Sequence, residues 1–134
     1  MPVNKDDTYQ IDEKKVWFQK WWPENVPKTV QFEEKSLNDI LDEKVKIYQD
    51  KNLMWFLHTW VSYSEFHEYV LKFATALYKL GVRKGDVVAL HLPNSIQYVV
   101  SYYAVIRIGA IVSGINPTYK PIEILHQLQA IKST

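Results

Sequence analysis

Residues 62–115 read SYSEFHEYVLKFATALYKLGVRKGDVVALHLPNSIQYVVSYYAVIRIGAIVSGI, and they set the architecture of the chain. Ser62 and Glu65 form the pattern S-x-x-E, a capping box in which both side chains satisfy free backbone N–H groups at a helix start. Gly81 is placed to end this helix, because glycine readily adopts the left-handed conformation that follows a last turn. The apolar stripe of the helix repeats every 3.6 residues and consists of Phe66, Tyr69, Val70, Phe73, Leu77 and Leu80.

Two strands and a second helix follow within the same stretch. Val87–Leu92 is a short apolar segment that predicts a strand. Ile96–Ile108 is apolar on nearly all sides, which predicts a buried helix, and Gly109 ends it. Ala110–Ile115 is the next predicted strand. The stretch therefore alternates helix, strand, helix and strand.

Further elements lie on both sides of this stretch. Asn52–Trp60 is rich in aromatic and aliphatic residues and predicts one strand, and Pro121 fits the first turn of a last helix. The order from Asn52 is then β-α-β-α-β-α, which favours an α/β fold with a parallel sheet and flanking helices. Another strand is expected beside the last one. We therefore expect an incomplete sheet and a chain that is truncated after Thr134.

The first 35 residues differ from the rest and form an aromatic N-terminal arm. They combine tryptophans with many charges and show little periodicity, and Pro23 and Pro27 interrupt any helix. Residues 12–21 predict a short helical start. Ser36 caps the next helix, in which Asp39 occupies the third position. We expect two regions, an arm over residues 1–35 and an α/β part over residues 36–134.

Composition excludes several classes of protein. The 134 residues carry 16 Lys and Arg against 15 Asp and Glu, a net charge of +1, and this is not the basic excess of a nucleic-acid binder. No apolar run reaches the ~18 residues of a transmembrane helix, and the polar N-terminus is not a signal peptide. Cysteine is absent, which removes disulfides and thiolate chemistry. We expect a cytoplasmic protein.

The residues predict no phosphate-binding loop. Val87–Leu92 enters the following helix through Pro93-Asn94-Ser95, which contains no glycine, and proline offers no N–H donor. Gly81 and Gly85 enclose a G-x-x-x-G pattern, but it lies between a helix end and a strand start, where it is better explained as a turn.

No residue is assigned a catalytic, cofactor-binding or metal-binding role. The four histidines lack the close spacing of metal ligands, and His67 is predicted on the outer side of its helix. His91 is the histidine to inspect, because it lies in the predicted strand at its C-terminal end, although a structural histidine is the commoner case. The carboxylate pairs, among them Asp42-Glu43, are expected on a solvated face. Tyr98, Tyr102 and Tyr103 are expected in the core.

Several motifs nevertheless occur in an order that resembles a known family. VSYSEF (61–66), FATAL (73–77), LGVRKGDVVALHLPNS (80–95), RIGAIV (107–112) and INPTY (115–119) are similar to the N-terminal region of adenylate-forming enzymes, and most closely of fatty-acid–CoA ligases. WWPENVPK (21–28) and SLNDIL (36–41) are similar to the opening of that family. The resemblance covers most of the chain and rests on the ordered set.

The resemblance implies a parent ligase that uses ATP, CoA and Mg2+ with a carboxylic (fatty) acid as substrate. The acid would attack the α-phosphate of ATP to give an acyl-adenylate and pyrophosphate, and CoA would then displace AMP. The family's phosphate loop, adenine-site and ribose-site residues and catalytic lysine lie downstream of the region seen here. The resemblance therefore implies a scaffold fragment that is inactive alone and holds no cofactor.

Two alternatives stay open at this point. The chain could be a non-catalytic binding or regulatory module that pairs with a partner or with itself, through the arm or an exposed sheet edge. It could also be a small nucleotide-binding protein of another class, which would need a phosphate loop. The sequence fixes neither the length of the acyl chain nor the oligomeric state.

Overall fold

The chain folds as an α/β protein in a computed structural model, which describes residues 22–27 and 33–132. It divides into two compact units, residues 1–34 and 35–134. The second unit contains, in chain order, α1 (Leu37–Tyr48), β1 (Asn52–Phe56), β2 (Thr59–Ser62), α2 (Tyr63–Lys79), β3 (Val87–Leu90), α3 (Ile96–Ile108), β4 (Ile111–Gly114) and α4 (Pro121–Ile131).

Only a short part of the predicted arm is described. Within residues 22–27, the Val26 N–H donates to the Pro23 carbonyl at 3.1 Å, and the Trp22 indole donates to the Val26 carbonyl at 2.8 Å. These contacts form a turn that contains a proline. The helical start expected over residues 12–21 lies outside the described residues and stays a prediction.

Two helices begin at the serine caps that the sequence predicts, and both caps are capping boxes, of which the sequence predicted the one at Ser62. The Ser62 hydroxyl accepts the Glu65 N–H at 3.2 Å, and the Glu65 carboxylate accepts the Ser62 N–H at 2.8 Å. Ser36 and Asp39 make the same reciprocal pair at the start of α1. Gly109 follows α3 in the left-handed conformation, with φ of 83°. The predictions for these helix ends are confirmed. They could be made because a capping box depends only on two residues three positions apart, and a glycine C-cap on a single residue.

The prediction of a single strand over Asn52–Trp60 is wrong. The segment folds back on itself as an antiparallel hairpin in which Phe56 faces Thr59 and Trp55 faces Trp60. Leu57 and His58 form the turn with φ of 45° and 63°. Such a turn normally requires glycine or asparagine. The sequence has neither there, so the pattern resembled one continuous strand.

The parallel pair consists of β3 and β4. Val87 faces Ile111 and Leu90 faces Gly114, so the carboxyl ends of the two strands coincide. Helix α3 is the crossover between them, as the alternating order predicted. The hairpin forms a separate two-stranded sheet. The prediction of an α/β fold with a parallel sheet and flanking helices is confirmed.

The core lies along α2 and α3 in two clusters. One surrounds the fully buried Phe66 and Val70 and includes Leu41 of α1 and Val61 of the hairpin. The other cluster joins the C-terminal half of α2 to α3 and to the residue that precedes β4. Its buried members are Ala74, Leu77, Ala104, Val105 and Ala110. Residues spaced three and four apart on α2 thus bury one stripe.

Part of the predicted stripe of α2 is nonetheless exposed. Tyr69 and Phe73 are about two-fifths exposed and Leu80 is 81% exposed, whereas Ala74 takes a buried position. α3 buries only Ser101, Ala104 and Val105 fully, and the three tyrosines of this helix are half-buried. Among the helices of residues 33–132, none has the length and apolar character to cross a membrane.

Candidate functional site

The carboxyl edge of the β3–β4 pair is the place where a parallel sheet normally presents its functional groups. The Ile115 N–H donates to the Leu90 carbonyl at 2.9 Å, which keeps the two chain segments together one residue beyond the strands. His91 follows β3 directly and is exposed. The structure therefore places His91 at the edge where the strand prediction located it.

Two helices contribute polar groups to this edge. The Gln127 amide of α4 donates to the Gly114 carbonyl at 2.9 Å. A Cβ atom at Gly114 would lie 3.3 Å from the Tyr98 hydroxyl of α3, so this hydroxyl closely approaches the end of β4. The sequence did not indicate that Tyr98 and Gln127 would approach the same glycine, because they lie on different helices.

The loop after β4 is fixed by its own side chains. The Asn116 carboxamide oxygen accepts the Thr118 N–H at 3.0 Å and the Thr118 hydroxyl at 2.9 Å. The Lys120 N–H then donates to the Glu123 carboxylate at 2.8 Å as α4 begins. An open cavity of about 530 Å³ lies beside this helix start and is lined by Tyr119, Ile122, Glu123, His126, Gln127 and Ala130.

The loop after β3 does not form a phosphate cradle. Pro93 has no N–H group, and the Ser95 hydroxyl already accepts the Tyr98 N–H at 3.2 Å as the cap of α3. Within residues 22–27 and 33–132, no three side chains of His, Cys, Asp or Glu converge to hold a metal ion. The described edge thus offers hydroxyl, amide and imidazole groups, without the donor set that binds a triphosphate or Mg2+.

A second polar cluster joins three helices and was missed from the sequence. Asp42 of α1 accepts hydrogen bonds from both terminal nitrogens of Arg107 on α3, at 2.8 and 2.5 Å. The ring Nε2 of His67 on α2 lies 3.1 Å from the same carboxylate. His67 is therefore half-buried against Asp42, which corrects its expected place on the outer side of the helix.

The electrostatics of this cluster make it a structural clamp. Hydrogen bonds from Arg107 lower the pKa of Asp42 to about 2, and the carboxylate in turn raises the pKa of Arg107. A carboxylate with so low a pKa is a poor general base at neutral pH. Asp42 was expected on a solvated face, but it lies in the wall of a 350 Å³ cavity between the helices.

These features define a segment of an α/β fold: a parallel strand pair with a helical crossover and a polar carboxyl edge. Residues 41–134 match the family model described as AMP-binding enzyme. Because the match extends over more than half of the chain, the protein belongs to the AMP-binding enzyme family.

Curated relatives are fatty-acid and aromatic-acid CoA ligases. The chain is 36% identical over 117 residues to a long-chain-fatty-acid–CoA ligase of Escherichia coli O6:H1, an alignment that covers 86% of this chain and 21% of that ligase. It is 33% identical over 119 residues to the Bacillus subtilis enzyme of the same name, covering 89% and 21%. An Arabidopsis thaliana 4-coumarate–CoA ligase is 41% identical over 69 residues, covering 52% and 12%. The chain thus spans about a fifth of the length of these bacterial relatives.

Solved structures agree with this assignment. The N-terminal subdomain of Klebsiella oxytoca NpsA, in complex with anthranilyl-AMSN, superposes with a TM-score of 0.71 at 26% identity, covering 74% of this chain and 26% of that one. The anthranilate CoA ligase AuaEII, in complex with anthranoyl-AMP, gives a TM-score of 0.65 at 28% identity, covering 71% and 18%. The resemblance to adenylate-forming enzymes that the sequence motifs indicated is confirmed.

Proposed function

We propose that this chain is the N-terminal part of an ATP-dependent fatty-acid–CoA ligase and serves that enzyme as scaffold. The observation that carries the proposal is the alignment of 117 residues with long-chain-fatty-acid–CoA ligase at 36% identity. The alignment includes most of the α/β unit, so this chain and the ligase share a whole structural region. The same proposal places the protein in the cytoplasm.

The reaction of such a ligase has two steps. A carboxylate oxygen of the fatty acid forms a bond to the α-phosphorus of ATP, and the bond to the departing pyrophosphate breaks. The sulfur of CoA then bonds to the acyl carbon, the bond to AMP breaks, and the thiol proton is released. Mg2+ would neutralise phosphate charge in the first step.

The described residues do not fit the binding of ATP or Mg2+. The loop after β3 has one hydroxyl, on Ser95, and that hydroxyl caps α3. Asp42, a carboxylate in a cavity wall, is held by Arg107. We therefore assign no chemical step to these residues and propose that the isolated chain is inactive.

The inactivity can be tested directly. We would incubate the purified chain with ATP, Mg2+, labelled pyrophosphate and a series of fatty acids, and measure the label that enters ATP. We expect exchange no faster than without protein. Acid-dependent exchange that disappears after heat denaturation of the chain would refute the scaffold proposal.

The shared scaffold can be tested in a chimera. Residues 41–134 would replace the aligned stretch of the Escherichia coli ligase, and acyl-CoA formation from a long-chain acid would be measured. The control chimera carries Val70→Asp, because a charge at this fully buried position should prevent folding of the unit. We expect acyl-CoA formation well above that of the control. A folded chimera with no more activity than the control would contradict the proposal.

One observation favours the second candidate, a module that pairs with a partner or itself. Helix α4 buries none of its residues, and Ile122 and Leu125 are 71% and 50% exposed. An antibody to the chain would distinguish the two on a blot of the source cells. A band several times heavier than 15.8 kDa supports the ligase, and a band at 15.8 kDa supports the module.

A further inference from the structure

The outer face of the β1–β2 hairpin carries an exposed apolar surface, to which the proposed function assigns no role. Trp55 and Trp60 are 55% and 57% exposed, and Leu57 at the turn is 74% exposed. Trp55 and Trp60 are cross-strand partners, with ring centroids 6.4 Å apart, so they share one face. We call Trp55, Leu57 and Trp60 the hairpin tip.

The opposite face of the hairpin is fixed to the protein. Val61 is 4% exposed and pairs with Met54, and both pack in the cluster around Phe66. Successive side chains of a strand point to opposite faces, so this anchoring leaves the tip facing away from the core. The hairpin tip is therefore held in place by the packed face of the same hairpin.

The turn is built from residues that are unfavourable for it. Leu57 and His58 both have positive φ, a conformation that is unfavourable for residues with a Cβ atom. Asn-Gly would form the same kind of turn without this cost. The paired strands on both sides hold the turn in this conformation, and strained backbone of this kind clusters at functional sites.

The size and charge of the tip indicate what it contacts. At these exposures, the three large side chains offer roughly 300–450 Å² of apolar surface, well below the roughly 800 Å² per partner of a stable protein dimer. Residues 52–60 contain no Asp, Glu, Lys or Arg, although 23% of the chain is charged. A surface without carboxylate, ammonium or guanidinium groups can leave water at low cost, and a lipid interface requires no matching protein surface.

We propose that the hairpin tip inserts into the headgroup region of a lipid bilayer. Tryptophan is suited to this region, because its ring is apolar while its N–H group remains able to donate a hydrogen bond. Leu57 enters deepest, since it lies at the turn. The proposal goes beyond the ligase function and stands on the hairpin alone.

The test is co-sedimentation of the chain with phosphatidylcholine vesicles. The double substitution Leu57→Asn with His58→Gly removes the apolar turn and installs the preferred turn sequence. We expect the free energy of unfolding to rise while the partition coefficient to vesicles falls about tenfold. Binding of the original chain should persist in about 0.5 M NaCl, because apolar insertion is not screened by salt.

Two control variants locate the effect. Leu80→Asn removes a leucine that is 81% exposed on α2, and we expect it to leave vesicle binding unchanged. Trp17→Ser with Trp21→Ser alters the arm, and we expect it to retain most of the binding. The proposal is overturned if the original chain does not bind vesicles, if the turn variant binds equally well, or if the arm variant alone loses binding.

Two further measurements test whether protein, rather than lipid, covers the hairpin tip. A dimer in sedimentation velocity that the turn variant abolishes would assign the tip to a second copy and overturn the proposal. In the ligase chimera, we expect the turn substitutions to lower vesicle binding while acyl-CoA formation stays unchanged. If the turn substitutions leave vesicle binding of the chimera unchanged, the hairpin tip is covered by protein in a ligase, and the proposal of lipid insertion fails. Acyl-CoA formation is measured in a separate assay, so failure of the ligase proposal can be distinguished from failure of the lipid proposal.

Discussion

Replacing Asp42 with asparagine tests the clamp that joins α1, α2 and α3. Asparagine has nearly the same size, but it cannot offer Arg107 a negative charge. The Arg107 side chain is only 20% exposed and makes its two hydrogen bonds to this carboxylate. Loss of the charge leaves a half-buried guanidinium without its ionic partner, so we expect the free energy of unfolding to fall.

The size of the effect follows from the pKa of Asp42. The pKa falls from 3.8 to about 2 in the folded chain, mainly through hydrogen bonds from Arg107. A difference of roughly 1.8 units corresponds to about 2.4 kcal/mol at neutral pH. Because the Asp42 side chain is 38% exposed, solvent screening reduces this value. We expect Asp42→Asn to lower the free energy of unfolding by about 1–1.5 kcal/mol at pH 7.

The pH dependence has a definite sign. The folded pKa is depressed, so the contribution of Asp42 is complete above the unfolded pKa of 3.8 and is lost as the pH falls towards about 2. The two proteins should therefore differ in stability at neutral pH and converge in acid. Urea unfolding followed by far-ultraviolet circular dichroism at several pH values measures both quantities.

The neighbouring Glu43 supplies a matched control. It also forms an ion pair, with Lys35 at 2.9 Å, but its side chain is 46% exposed. We expect Glu43→Gln to change the free energy of unfolding by at most about 0.5 kcal/mol. The reasoning is refuted if Asp42→Asn costs no more than Glu43→Gln, or if the difference from the original chain persists undiminished in acid.

Three further substitutions test packing and backbone conformation by urea unfolding. Phe66→Ala should cost about 3–5 kcal/mol because Phe66 is 1% exposed, whereas Phe73→Ala should cost about 1 kcal/mol or less; equal costs would contradict the assigned core. Ser62→Ala should cost about 1 kcal/mol through the lost cap of α2, and an unchanged stability would argue against that cap. Gly109→Ala should cost about 1–2 kcal/mol because φ is 83°, and adding Lys84→Ala should recover little of it; full recovery would show that the Lys84 contact, not the backbone, causes the loss.

The ends of the helices could be predicted because they depend on neighbours in the chain. Ser62 and Glu65 are three residues apart, and the capping box they form needs only one turn of helix. Gly109 likewise ends α3 through its own freedom to adopt positive φ. The hairpin turn is equally local, but Leu57 and His58 are not typical turn residues. Their conformation follows from pairing of the strands around them.

Part of the candidate site at the carboxyl edge of β3 and β4 could also be predicted from the sequence. His91 was located at the end of a strand, because the apolar run before Pro93 marks where the strand stops. The approach of Tyr98 and Gln127 to Gly114 could not be predicted, since it depends on how α3 and α4 cross the sheet. Sequence periodicity describes the face of a helix but not the residue that this face meets.

The sequence by itself determined the helices, the alternation of strands and helices from α2 onward, and the family, because each of these depends on local spacing or on the order of motifs along the chain. Tertiary structure alone decided which strands pair and which charges meet. Asp42 and Arg107 are 65 residues apart, and their ion pair exists only because α1 and α3 pack side by side. That packing also withdraws most of the Arg107 side chain from water, so the half-buried Asp42 carboxylate, which was expected on a solvated face, links two helices.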